Sequence, residues 1–244
     1  FTTFGDNLER IRAGNTARVP VLAGNTQNDG TLFTVGENNL TAFLDSMGVG
    51  AIVSADVVRA LYPEENDTDV IADSFRDFFF LCPASLWTEA FIQSGLHNVF
   101  RYEYGEYTYN QHRVYCAVFP DLQLFPNAGA WHSSERVYAP LCAVLPSSFH
   151  FFQVPELFGT FNASTATPNE VTLSKTYQTA IANFIKNPND SPAPNWPKYA
   201  PGGSTQTLAR LAYNGNVDMD NFVQAVTSDS QDAPCTSLWN AFLD

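Results

Sequence analysis

Short apolar runs with strand character, interleaved with stretches of helical periodicity, predict an α/β fold whose strands have parallel neighbours. Residues 19–24 and 99–104 read as buried strands, and residues 207–213 as a further strand. Between them apolar residues recur at helical spacing, and 244 residues suffice for one domain with a sizeable core.

The elements follow in order along the chain. Val19-Pro20-Val21-Leu22-Ala23-Gly24 is an apolar run that ends at a glycine-bounded loop. Residues 40–47 and 57–62 carry helical spacing, and residues 69–81 and 84–93 read as two helices separated by Pro83. Val99-Phe100-Arg101-Tyr102-Glu103-Tyr104 is the second strand. Residues 173–185 form an amphipathic helix that Asn187-Pro188 ends, and Asn195 to Tyr199 is a turn. The chain closes on a short helix over residues 237–243. No linker divides residues 1–244. Residues 187–204 are rich in Pro, Asn and Gly, but their aromatic residues should dock on the core.

Composition narrows the function. The formal net charge of −13, with 12 scattered basic residues, argues against nucleic acid, which needs clustered Lys and Arg. No apolar run approaches the roughly 18 residues of a membrane span, so no transmembrane segment is expected. The His and Cys residues show no paired ligand spacing, and neither a metal nor a cofactor is expected. Cys82, Cys116, Cys142 and Cys235 are an even number, and Asn39, Asn66, Asn162 and Asn189 head Asn-x-Ser/Thr triplets. Together these favour an oxidising, secretory compartment and a secreted glycoprotein. The chain opens on Phe1-Thr2-Thr3-Phe4-Gly5 without a signal peptide, and reads as the middle of a longer polypeptide.

Four stretches, in order, carry a resemblance. The first runs from Val19 through Gly24 to Asn28-Asp29-Gly30-Thr31-Leu32-Phe33. The second is Phe80-Leu81-Cys82-Pro83, followed by a helix and the strand Phe100 to Tyr104. Gly129-Ala130-Trp131-His132-Ser133-Ser134-Glu135 is the third, and the helix from Leu173 with Asn187-Pro188-Asn189 and Trp196-Pro197-Lys198-Tyr199 the fourth. Across most of its length the chain resembles the type-B carboxylesterases, cholinesterases and fungal lipases. The resemblance implies the C-terminal portion of an α/β-hydrolase fold and a carboxylic-ester hydrolase acting through an acyl-serine intermediate.

By that resemblance His132 is the general base and Asp29 the acid of a catalytic triad. The histidine takes the serine proton, and the carboxylate fixes its tautomer and stabilises the imidazolium. The chain order of serine, acid, histidine is kept. Taken alone, Asn-Asp-Gly after a strand is a turn and a single histidine is structural; the motif match assigns both roles. The family usually places Glu where Asp29 stands. An Asp is one methylene shorter, so its backbone or His132 must lie closer. Glu135 matches an acid of the family and takes a structural role at most.

The nucleophile's Gly-x-Ser-x-Gly elbow occurs nowhere in these residues. The expected partners are therefore a small-molecule or lipid ester substrate and the missing N-terminal half of the same protein. The alternative is a non-catalytic, cholinesterase-like binding or adhesion domain; retention of Asp29 and His132 favours the enzyme. The family continues from His-x-x-Glu directly into Pro-x-x-Phe-Gly-Thr, which Pro155 to Thr160 supply here, but residues 136–153 intervene. That apolar insert reads as a lid or entrance wall beside the catalytic loop, or as translated non-coding sequence. Cys82 and Cys235 match a disulfide found in cholinesterases. Cys116 and Cys142 are then left over, and a bridge between them is expected on that ground alone.

Overall fold

The computed structural model describes residues 6–62, 66–105, 108–109, 112–113, 168–202 and 205–243. Its centre is a four-stranded sheet in the order β1 (Val21–Thr26), β2 (Val99–Tyr104), β5 (Gln206–Leu211), β6 (Val223–Thr227). β1, β2 and β5 run parallel, and β6 returns antiparallel at the edge. Two-residue strands β3 (Thr108–Tyr109) and β4 (His112–Arg113) form a separate antiparallel pair. The expected α/β class is therefore present, with an antiparallel edge strand that the sequence reading did not anticipate.

The pleat of β2 sends alternate residues to opposite faces. Phe100 and Tyr104 join Leu173, Tyr177 and Ala180 of helix α6 (Pro168–Lys186) in one core cluster. Trp196, in the Pro-rich stretch after that helix, is almost fully buried in the same cluster, as expected of a docking aromatic. Arg101 and Glu103 face the other way. There Arg101 donates to both carboxylate oxygens of Asp232, at 2.5 and 2.7 Å, and Ser85 donates to the same carboxylate. Asp232 lies on α7 (Asp229–Pro234), so this buried pair ties the central strand to the C-terminal helices.

The remaining helices among the described residues are α1 (Asn7–Arg12), α2 (Leu40–Ser46), α3 (Ala55–Arg59), α4 (Asp67–Arg76), α5 (Cys82–Gln93) and α8 (Asn240–Leu243). Asn66 caps α4 by accepting a hydrogen bond from the Asp69 N–H. Pro83 does not divide the helices as expected. A π-helical turn over Asp77–Leu81 joins α4 to α5, and Leu81 and Cys82 keep right-handed helical angles. A proline lacks an N–H and crowds the carbonyl four residues back, which here is Phe79. The wider π turn contains that residue and accommodates the proline within a continuing helix. Pro234 and the π turn Cys235–Trp239 join α7 to α8 in a similar way, so the expected C-terminal helix starts earlier than residue 237. Cys82 and Cys235 are bonded, as expected, with their Cα atoms 5.3 Å apart. Around them Leu40, Leu44, Val70, Ile71, Leu81 and Trp239 form a second core.

Candidate active site

Three parallel strands bring their C-terminal ends, Thr26, Tyr104 and Leu211, to one edge of the sheet. That is where an open α/β sheet builds its site. The ladder runs one residue past β1, because the Gln27 N–H donates to the Tyr104 carbonyl at 3.0 Å. The chain then turns through Asn28-Asp29-Gly30. Asp29 is 3% exposed. Its Oδ2 accepts the backbone N–H of Thr26 at 2.7 Å, so the carboxylate is fixed to the strand it follows. Thr31 donates its hydroxyl to the Asn28 carbonyl at 2.9 Å, and Thr34 donates to the Gly30 carbonyl at 3.1 Å. Both hydroxyls close the turn on itself.

The turn rests on α4. Gly30 packs so tightly against the helix that a Cβ there would overlap the Ala72 carbonyl. Arg76, at the last turn of α4, donates from Nη1 to the Gln27 carbonyl at 3.0 Å. The same guanidinium reaches Asp73 at 3.2 Å and Asp77 at 2.6 Å. Burial works against a charged Arg76, but the carboxylates of Asp73 and Asp77 outweigh it and hold the guanidinium protonated well above its ordinary range. Asp77 is fully buried, and desolvation pushes its carboxyl up to about 6 in spite of Arg76. Tyr62 donates its hydroxyl to Asp77, and Trp239 donates to the Tyr62 oxygen at 3.3 Å. Burial, and then the Asp77 charge, raise the Tyr62 phenol, so it remains a donor throughout the ordinary pH range. Glu103 accepts from Arg210 at 2.9 Å on the neighbouring strand, and desolvation raises its carboxyl.

Asp29 thus lies on the loop that follows β1, at the edge where the parallel strands end. His132 and Glu135 lie outside the described residues, as do Cys116, Cys142, His150 and the insert of residues 136–153. His97 is exposed on the segment leading into β2, at the opposite end of the sheet from Asp29. Ser94 closes α5 near that same end and donates its hydroxyl to the Phe91 carbonyl, away from the C-terminal ends of the three parallel strands. Arg76 and its carboxylate partners were not anticipated. Their signal was present as Asp73-x-x-Arg76-Asp77, where Asp73 and Arg76 have the i,i+3 spacing of a helical ion pair and a second acid follows directly.

The sequence pattern of the Carboxylesterase family matches residues 4–229. Among solved structures, a PNB esterase superposes with a TM-score of 0.59 at 20% identity, covering 95% of this chain and 40% of its own. A second structure of a PNB esterase gives a TM-score of 0.57 at 19% identity, and a thermophilic PNB esterase gives 0.58 at 20%, with the same coverage. At such identity the likeness is one of fold. No curated protein sequence matches the chain. The chain spans about 40% of the length of the esterases it superposes on.

Proposed function

The chain belongs to the carboxylesterase family and folds as part of an α/β-hydrolase, and from that membership we propose that it supplies the acid and the base of a serine esterase triad. Asp29 is the acid and His132 the general base. The serine comes from polypeptide upstream of these residues. The serine Oγ attacks the ester carbonyl as His132 takes its proton, and the alcohol leaves with that proton. Water, deprotonated by His132, then attacks the acyl-enzyme carbonyl, and the acid leaves as His132 returns that proton to the serine Oγ. Asp29 holds the imidazole's other N–H and stabilises the imidazolium, and no metal or cofactor enters. The substrate is a small-molecule or lipid ester.

The observation that carries this reading is the setting of Asp29. A buried carboxylate at the C-terminal edge of a parallel sheet has one oxygen fixed by the Thr26 N–H. We also propose that the protein is secreted. The Cys82–Cys235 bond and the exposed asparagines at 39, 66 and 189 support passage through an oxidising compartment.

The test is steady-state hydrolysis of a chromogenic short-chain aryl ester by the protein joined to its upstream half. His132→Ala reduces turnover by several orders of magnitude with little change in ester binding. Asp29→Asn costs on the order of 10⁴-fold, because the amide can turn the imidazole to the wrong tautomer. Asp29→Glu is tolerated or mildly harmful, and His97→Ala leaves the rate near wild type. Near wild-type turnover in His132→Ala and Asp29→Asn would refute the triad and leave a binding domain that keeps the fold alone.

A further inference from the structure

We infer that Arg76 is a positioning residue for the acid turn: by holding the Gln27 carbonyl it sets where Asp29 stands. The inference rests on the reading of Asp29 as the triad acid. Three features converge on it. The guanidinium donates to the Gln27 carbonyl at 3.0 Å, two residues before Asp29. Its remaining donors are fixed by Asp73 and Asp77, on its own helix and on the π turn that follows, so the fork cannot swing. Gly30, one residue after Asp29, is pressed against the Ala72 carbonyl of the same helix. The turn is therefore clamped to α4 on both sides of the carboxylate. Only a planar fork with several donors meets two carboxylates and a carbonyl at once. An Asp at the acid position has a shorter reach than Glu, so its backbone must be placed more exactly, and the clamp supplies that placement.

The clamp and the catalytic role are read by separate measurements. Amide hydrogen exchange reports the turn directly through the N–H groups of Thr26, Gln27, Thr31 and Phe33, each of which has a defined acceptor. Arg76→Met leaves Asp73 and Asp77 without their cation and is made together with Asp77→Asn to keep the fold. Arg76→Lys keeps the charge. Arg59→Met is the control, since it breaks an ion pair with Asp67 on the same helix without touching the turn. In Arg76→Met/Asp77→Asn the turn amides exchange at least about tenfold faster, while those within α4 keep their protection. In the protein joined to its upstream half the same variant loses about 10²-fold in kcat with KM nearly unchanged, the cost of displacing a catalytic group. Arg76→Lys recovers part of both losses, Asp77→Asn alone gives at most a small part of either, because its amide oxygen still accepts from Arg76, and Arg59→Met reproduces neither. Unchanged exchange at the turn overturns the inference. So does faster exchange with full kcat in a protein that Asp29→Asn inactivates. Full kcat in Asp29→Asn itself sinks the acid assignment instead, and leaves the exchange result to decide the clamp.

Discussion

Asp77 sits in the interior between Arg76 and Tyr62, and its carboxyl is pushed up to about 6 from an ordinary 3.8. Desolvation of the charged form is the larger cause. Arg76 opposes it, and the Asp73 carboxylate reinforces it. A carboxyl raised on folding binds its proton more tightly in the native state than in the unfolded chain. Its stabilising contribution is whole below 3.8 and is lost as pH rises through about 6. The stability of the wild type relative to Asp77→Asn should therefore fall by on the order of 3 kcal/mol between acid and neutral pH. Urea midpoints for the two proteins, each joined to its upstream half, measure it across that range. A constant difference would mean that Asp77 does not titrate there. Arg101 presents the opposite case, a fully buried cation paired through both Nη atoms with Asp232. Asp232→Ala strands that charge and should cost about 3–5 kcal/mol, far more than the removal of an exposed pair. An unchanged denaturant midpoint would show that water reaches the guanidinium.

At the scale of elements, β2 was readable to the residue because its aromatic and branched side chains match a strand buried on both faces. β1 was read two residues early, since the strand passes through Gly24 and runs over Val21–Thr26, whereas the Asp-Gly pair marked the turn that follows it. Pro83 misled, because the rule that proline ends a helix is local. Leu81 and Cys82 are fully buried, and the bond from Cys82 to Cys235 holds the π turn in place from outside it. β6 went unread because Val223-Gln224-Ala225-Val226-Thr227 is short, and its pairing with β5 is set by the partner strand. The contact of Arg76 with the Gln27 carbonyl was invisible for a related reason. The turn it clamps is 49 residues earlier in the chain, and no local pattern records such a contact. Long-range closure also sets the value of the disulfide, whose cysteines are 153 residues apart. In the chain-entropy model the bond contributes about 5 kcal/mol. Cys82→Ala/Cys235→Ala should lower stability by up to that amount, and peptide mapping of the unreduced protein should recover the two cysteines together. A free thiol at Cys82 would contradict the pairing.

Across the whole molecule the two sides of the sheet are finished differently. Among the described residues β5 and β6 complete one side, with the antiparallel strand as its edge. On the other side β1 pairs with β2 and has no further strand beside it among the described residues. β2 is buried along nearly all its length, whereas β1 stays half-buried until its last two residues. Val19, just before it, is 57% exposed. An apolar edge strand of this kind is rarely left open to water, since it offers unpaired N–H and C=O groups to any passing strand. The chain covers only 40% of the esterases whose fold it shares, and on the proposed function the sheet continues from β1 into upstream polypeptide. The 244-residue chain should then bind hydrophobic dyes, associate as its concentration rises and melt over a broad range. Joined to the upstream half, the same residues should melt cooperatively and lose the dye signal, because the β1 edge is covered. Lys substitution at Val19 or Val21 should suppress association of the short chain, as charges do on natural edge strands, and impair assembly of the long one. A short chain that is monomeric, cooperative in melting and blind to the dye would mean that β1 is a finished edge, and the proposed esterase would have to find its serine elsewhere.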